Sequence, residues 1–136
     1  LVYGKFQQQD RFLPYLIRNC LSNKKFNVTE GKQLRDYCYI DDFVLGVLKC
    51  LGNNKAFGEV INLASGNPIS IKEIILTVRE IVGSGQPVMG GKPYRKSESM
   101  ALYADISKAK AVLDWEPKYL FKDAIFEVIE WYKNND

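Results

Sequence analysis

Arg35 lies inside the stretch Gly31-Lys32-Gln33-Leu34-Arg35-Asp36-Tyr37-Cys38-Tyr39-Ile40-Asp41-Asp42. A guanidinium keeps its charge and presents a planar fork to two oxygens, so an arginine among apolar and aromatic strand residues asks for an anion, and phosphate suits it. The plainer reading is a strand ion pair with Asp36 or a neighbouring carboxylate. A second set, Arg95 and Glu98, sits in Lys92-Pro93-Tyr94-Arg95-Lys96-Ser97-Glu98. A cation and a carboxylate that close on one loop can hold a phosphate and a ribose hydroxyl together; otherwise this is a solvated polar loop. Asp41-Asp42 could serve as metal or acid–base carboxylates. No third ligand is nearby, so a helix cap and a first-turn acid favoured by the helix dipole is the better reading.

Other chemistry is argued against by what the chain lacks. It has no histidine, which disfavours zinc sites and histidine triads. Gly83-x-Gly85 has Val88 where a dinucleotide fingerprint needs glycine, and it follows a helix. Gly90-Gly91-Lys92 is followed by proline and lacks phosphate-loop spacing. Tyr3 could be a catalytic phenol, but none of the eight tyrosines has a lysine four residues on. The acid–base pair of a tyrosine-dependent dehydrogenase is therefore missing.

The elements that must position these groups follow from periodicity. Phe12, Tyr15, Leu16, Cys20 and Leu21 predict a helix over 11–22, with Asp10 as N-cap and Pro14 tolerated near its first turn. Phe26 and Val28 begin a short strand turned by Glu30-Gly31. Leu34 to Ile40 alternates as one strand, with Arg35, Tyr37 and Tyr39 on one face. Asp41-Asp42 starts a helix whose apolar face is Phe43, Val44, Val47, Leu48 and Leu51, ending at Gly52. Residues 59–64 read as a buried strand and Ser65-Gly66-Asn67-Pro68 as a turn. Ser70-x-x-Glu73 is a capping box for a helix closed by Gly83. Residues 84–100 form a long loop with a short strand near Val88. Asp105 caps a short helix through Leu113, and a last amphipathic helix carries Ala124, Ile125, Val128, Ile129 and Tyr132. The order is α/β, with too few strands in series for a whole doubly wound sheet.

With 136 residues, 46% hydrophobic and 26% charged, the chain has the composition of one globular domain. A net charge of +3 is too balanced to argue for nucleic acid, and apolar runs such as Ile74-Ile75-Leu76 are too short to cross a membrane. Cys20, Cys38 and Cys50 fit buried thiols in a reducing compartment, hence a cytoplasmic protein, better than a disulfide framework. Leu1-Val2-Tyr3-Gly4 reads as the end of an apolar strand, so a piece of a longer protein is expected.

Seven motifs in series carry a resemblance. Val2-Tyr3-Gly4 resembles VYGP, and Arg11-Phe12-Leu13-Pro14 resembles the N-x-hydrophobic-P that opens a substrate-domain helix. Glu30 to Asp42 resembles DGxQxRDFVYVDD, Val60 to Gly66 resembles xYNIGSG, and Tyr94 to Glu98 resembles xRPGD. Ala104 to Ala109 and Leu113 to Pro117 resemble ADxSKA and LGWxP. Together they are similar to the C-terminal, substrate-binding part of the NAD-dependent epimerase/dehydratase family, extended short-chain dehydrogenases acting on nucleotide sugars. There are departures: Lys5 stands for proline, Lys96-Ser97-Glu98 for Pro-Gly-Asp, and Asp114 for glycine.

The resemblance implies a few strands, about five helices and the absence of the Rossmann cofactor half. It implies a nucleotide-diphosphate sugar as ligand, with Arg35 and Arg95 gripping the pyrophosphate and Glu98 the ribose. Phe12, Phe26 and Tyr37 match positions lining the nucleotide pocket. A full-length parent would use NAD or NADP to oxidise a sugar hydroxyl transiently by hydride transfer, as an epimerase, dehydratase or reductase. The parent is expected to be a homodimer. This piece alone is expected to be inactive, to bind no cofactor, to pair with the missing half, and to expose apolar surface that favours self-association. A non-catalytic regulatory or scaffold member of the same fold is the alternative. A basic nucleic-acid module using Lys92, Arg95 and Lys96 is a remote one.

Overall fold

A computed structural model describes residues 1–135. In chain order the elements are β1 (Val2–Tyr3), α1 (Phe12–Leu21), β2 (Lys25–Asn27), β3 (Leu34–Arg35), β4 (Cys38–Tyr39) and α2 (Ile40–Cys50). There follow β5 (Ile69–Ser70), α3 (Ile71–Val82), β6 (Gln86–Val88), β7 (Ala101–Leu102), α4 (Ser107–Leu113) and α5 (Phe121–Asn135). The strands are short and form three small sheets. β1 pairs in parallel with β4, and β2 in parallel with β6. β3 is central in the third sheet, antiparallel to β5 and parallel to β7, so that Arg35 lies between Ile69 and Leu102.

Apolar residues at helical spacing put α1, α3 and α5 around one core. Leu16, Ile17, Ile74, Ile75, Ile125 and Ile129 are all fully buried there. Burying each such side chain is worth about 2 kcal/mol, so these helices hold the domain and the small sheets ride on them. The predicted ends of α3 are realised. Ser70 Oγ accepts from Glu73 N at 3.1 Å, and Gly83 closes the helix in the left-handed region. The cap position of α4 is Ile106 rather than the expected Asp105, which lies one residue earlier and accepts from Ser107 N at 2.8 Å. The five α-helices match the number expected.

Four local expectations are corrected. The helix over 11–22 starts at Phe12 with Arg11, not Asp10, at the cap, and no side chain caps it. The strand over 34–40 is two strands in different sheets, because Asp36 turns away from the ladder to bond other backbone, as described below. Residues 59–64 form no strand: Val60 is 83% exposed, and no strand among the described residues pairs with the segment. The apolar face of α2 points outward, with Val44, Leu45, Val47, Leu48 and Leu51 all exposed.

The buried side of α2 is instead Asp42 and Gly46. Gly46 is needed for close approach: a Cβ there would lie 2.8 Å from the Leu63 methyls and 3.1 Å from the Trp115 ring. Asp42 is 1% exposed and accepts from Lys118 N at 3.0 Å and Tyr119 N at 3.1 Å. Its backbone oxygen accepts from the Trp115 indole at 3.1 Å. This aspartate lies in the first helical turn, as expected, but its carboxylate fastens the 115–119 segment that leads into α5. Removing it leaves two backbone N–H groups without their acceptor. Asp42→Ala is therefore expected to cost about 3 kcal/mol of stability, read from the urea midpoint, whereas Asp41→Ala on the exposed side costs well under about 1 kcal/mol.

Candidate functional site

The local fold places Arg35 through its backbone first. Gly31 adopts φ +71°, and a Cβ on it would meet Lys72 N at 2.6 Å. Only glycine lets this turn press against the start of α3, where Lys72 N donates to Gly31 O at 2.8 Å. Ile71 N then donates to Gln33 O at 3.1 Å, and β3 follows with Arg35 fixed in its sheet.

Arg35 forms one wall of a cleft of about 550 Å³. Its Nη1 donates to Leu34 O at 2.7 Å, and its Nη2 makes a short ion pair with Glu98 Oε1. Both side chains of the pair are mostly buried, at 12% and 19% exposure. The sequence left open whether Arg35 faces an anion site or pairs with a carboxylate, and the structure contains both features. Asp36 is not its partner. That carboxylate accepts from Ser65 N at 2.7 Å, Gly66 N at 3.1 Å and Ala104 N at 3.5 Å.

The opposite wall is the 88–98 loop. Lys92 N donates to Val28 O at 3.1 Å, which lays the loop along β2, and Lys32 N donates to the Tyr94 hydroxyl at 3.0 Å. Arg95 and Glu98 close a turn through Glu98 N and Arg95 O at 3.0 Å. Arg95 also lines the cleft; its side chain is exposed and has no ion-pair partner among the described residues. Two residues predicted from different motifs, Arg35 and Arg95, thus face one cavity together with Glu98.

Phe12 and Tyr37 line the same cleft. Burial pushes the Tyr37 phenol up to about 12, against a smaller opposing pull from the Arg35 guanidinium. It is therefore a neutral hydroxyl near neutral pH. Phe26 lies elsewhere. It is 5% exposed in the core, behind Tyr15 of the cleft lining, whose ring stands at right angles to it with centroids 6.0 Å apart. Tyr3 is buried against Tyr37, Tyr39 and Phe121, and its phenol is pushed up by burial. That suits a core role.

Thr29 and Gln33 also line the cleft and were not predicted as site residues; Lys92, weighed only for nucleic acid, lines it too. A period-two signal was available for one of them: Gln33, Arg35 and Tyr37 are alternate residues, and all three face the cavity. The cleft can therefore take an elongated anion flanked by aromatic and neutral polar groups.

Comparisons with known proteins give the family. The pattern of the GDP-mannose 4,6 dehydratase family matches residues 4–128, and the chain belongs to this family. It is 34% identical to UDP-glucuronate 4-epimerase of Thermodesulfobacterium geofontis over 98% of the chain and 41% of that protein. It is 26% identical to dTDP-glucose 4,6-dehydratase of Xanthomonas campestris over 98% of the chain and 40% of that protein. UDP-glucuronic acid 4-epimerase from Bacillus cereus, solved with UDP-glucuronic acid and NAD, superimposes with a TM-score of 0.83 at 31% identity. That match covers 98% of this chain and 43% of that one. The chain thus spans about two fifths of the length of the curated relatives it matches.

Glu98 now competes with any anion for Arg35. Glu98→Gln keeps the side chain's size and removes its charge, so inorganic pyrophosphate is expected to bind about fivefold more tightly in titration calorimetry. Unchanged or weaker binding would show that the Arg35 fork does not meet the anion.

Proposed function

We propose that this chain is the nucleotide-sugar-binding portion of an NAD(P)-dependent nucleotide-sugar epimerase, dehydratase or reductase. The observation that carries the reading is the joint presence of Arg35, Arg95 and Glu98 around one cleft. Two guanidinium groups match the charge of a diphosphate, and fork geometry fixes its oxygens. Glu98, released from Arg35, is placed to accept from a ribose hydroxyl. Phe12 and Tyr37 supply apolar and hydroxyl contact beside the phosphates. The printed ligand of the Bacillus cereus neighbour, a UDP-sugar, has this chemistry.

The described residues do not fit the nicotinamide cofactor itself. Gly83 and Gly85 lie between α3 and β6, and Gly90 and Gly91 follow β6 into the loop, so neither pair joins a strand to a helix as a dinucleotide cradle requires. In this reading the cofactor and the hydride chemistry belong to a further part of a longer, cytoplasmic protein, and this chain alone is inactive. Its own work is to bind and orient the nucleotide sugar.

Thermal shift and calorimetry of the chain with UDP-, GDP-, CDP- and dTDP-sugars test this. At least one is expected to raise Tm. Arg35→Ala and Arg95→Ala should each weaken it by about ten- to a hundredfold, in line with the loss of a charge-assisted hydrogen bond. Absence of any stabilising nucleotide sugar defeats the reading.

The outer face of α2 supports a second element of the proposal. Val44, Leu45, Val47, Leu48 and Leu51 form one exposed apolar stripe, suited to cover by the cofactor-binding part of a longer protein. In the isolated chain the same stripe favours self-association. Light scattering is expected to show dimers or larger species that Leu48→Glu disperses, while a monomer at all concentrations would remove this element.

A further inference from the structure

Gln33 stands out in the cleft wall. It is 7% exposed, and its Nε2 donates to Thr29 Oγ1 at 3.3 Å. Its Oε1 is the one buried side-chain polar atom among the described residues with no hydrogen-bond partner. A buried acceptor left without a donor costs free energy, so a protein keeps one where something else supplies the donor.

The surroundings indicate what that is. Gln33 is two residues from Arg35 and shares the cavity with it. The lining also holds the neutral polar side chains of Asn27 and Thr29, the latter bonded to Gln33, together with Lys92 and Pro93. Leu1, Phe12 and Tyr37 border both this cleft and an adjoining one. A diphosphate held by Arg35 and Arg95 would bring an attached nucleoside into the cavity that Asn27, Thr29 and Gln33 also line.

We propose that Gln33 is a specificity-determining residue that reads the nucleoside. Its free carbonyl accepts a hydrogen bond from an N–H donor on the base. The terminal amide torsion has a broad minimum, so turning the carbonyl toward the cavity costs little. Turning it exchanges the long, 3.3 Å bond to Thr29 Oγ1 for one to the ligand. This inference rests on the nucleotide-sugar reading above and adds to it the residue that recognises the base.

The test is calorimetry on the whole chain with UDP, dTDP, CDP and GDP, and with inorganic pyrophosphate as the base-free probe. Gln33→Met is expected to weaken the tightest-binding nucleotide about tenfold. Pyrophosphate binding should be unchanged. Because the variant also removes an unpartnered acceptor, its Tm without ligand should be equal or higher. Gln33→Glu retains an acceptor oxygen, so it should keep the preference among bases that Gln33→Met flattens. Equal loss of nucleotide and pyrophosphate, or a fall in Tm accompanying it, would make Gln33 a prop for β3 and overturn the proposal. Unchanged nucleotide affinity overturns it as well. A wild-type chain that binds no nucleotide more tightly than pyrophosphate defeats the nucleotide-sugar reading itself, a result distinct from either.

Discussion

The carboxylate of Asp36 is the constraint on which the site depends. It is 3% exposed, and a carboxylate in that position must be surrounded by donors. The donors are backbone N–H groups of Ser65, Gly66 and Ala104, drawn from two distant parts of the chain. To reach them the backbone leaves the ladder between Arg35 and Cys38. One continuous strand would have run Arg35 and Tyr39 along a single face of a single sheet. The break sends β3 to β5 and β7, and β4 to β1, and it leaves Arg35 and Tyr37 at the same cleft while Tyr39 enters the core.

Asp42 uses the same device six residues later. It also directs a buried carboxylate at two backbone N–H groups of a remote segment. Together the two aspartates bind the 65–66 turn, residue 104 and the 118–119 segment to one stretch of chain. Both carboxylates are buried and engaged by backbone N–H groups, which suits a structural role. Arg35, between them in character if not in sequence, is the member of this stretch whose charge faces a cavity.

How much of this could be read from the residues depends on whether the information was local. The ends of α3 were legible because Ser70, Glu73 and Gly83 act on their own backbone. The period of α2 was legible, but not which way its apolar side faces, since that is decided by Gly46 and Asp42 packing against Leu63 and the 115–119 segment. Residues 59–64 have strand composition, but a strand also needs a partner, and none lies beside them among the described residues. Arg35, Arg95 and Glu98 stood out as charged residues in unusual company. Gln33 did not, because a neutral amide is notable only once its lack of a partner is seen in three dimensions.

The two arginines are unequal, and the difference follows from how each is held. Arg35 projects from the central strand of its sheet, with Leu34 O and Glu98 already fixing its guanidinium. Little side-chain entropy is left for a ligand to remove. Arg95 rides on a loop and is exposed, so ordering it costs up to about 2 kcal/mol that its new contacts must offset. Arg35 is therefore the better fixed of the two guanidinium groups and Arg95 the more adaptable. Glu98 links the two. Its carboxylate neutralises Arg35, which limits the cost of holding a mostly buried cation.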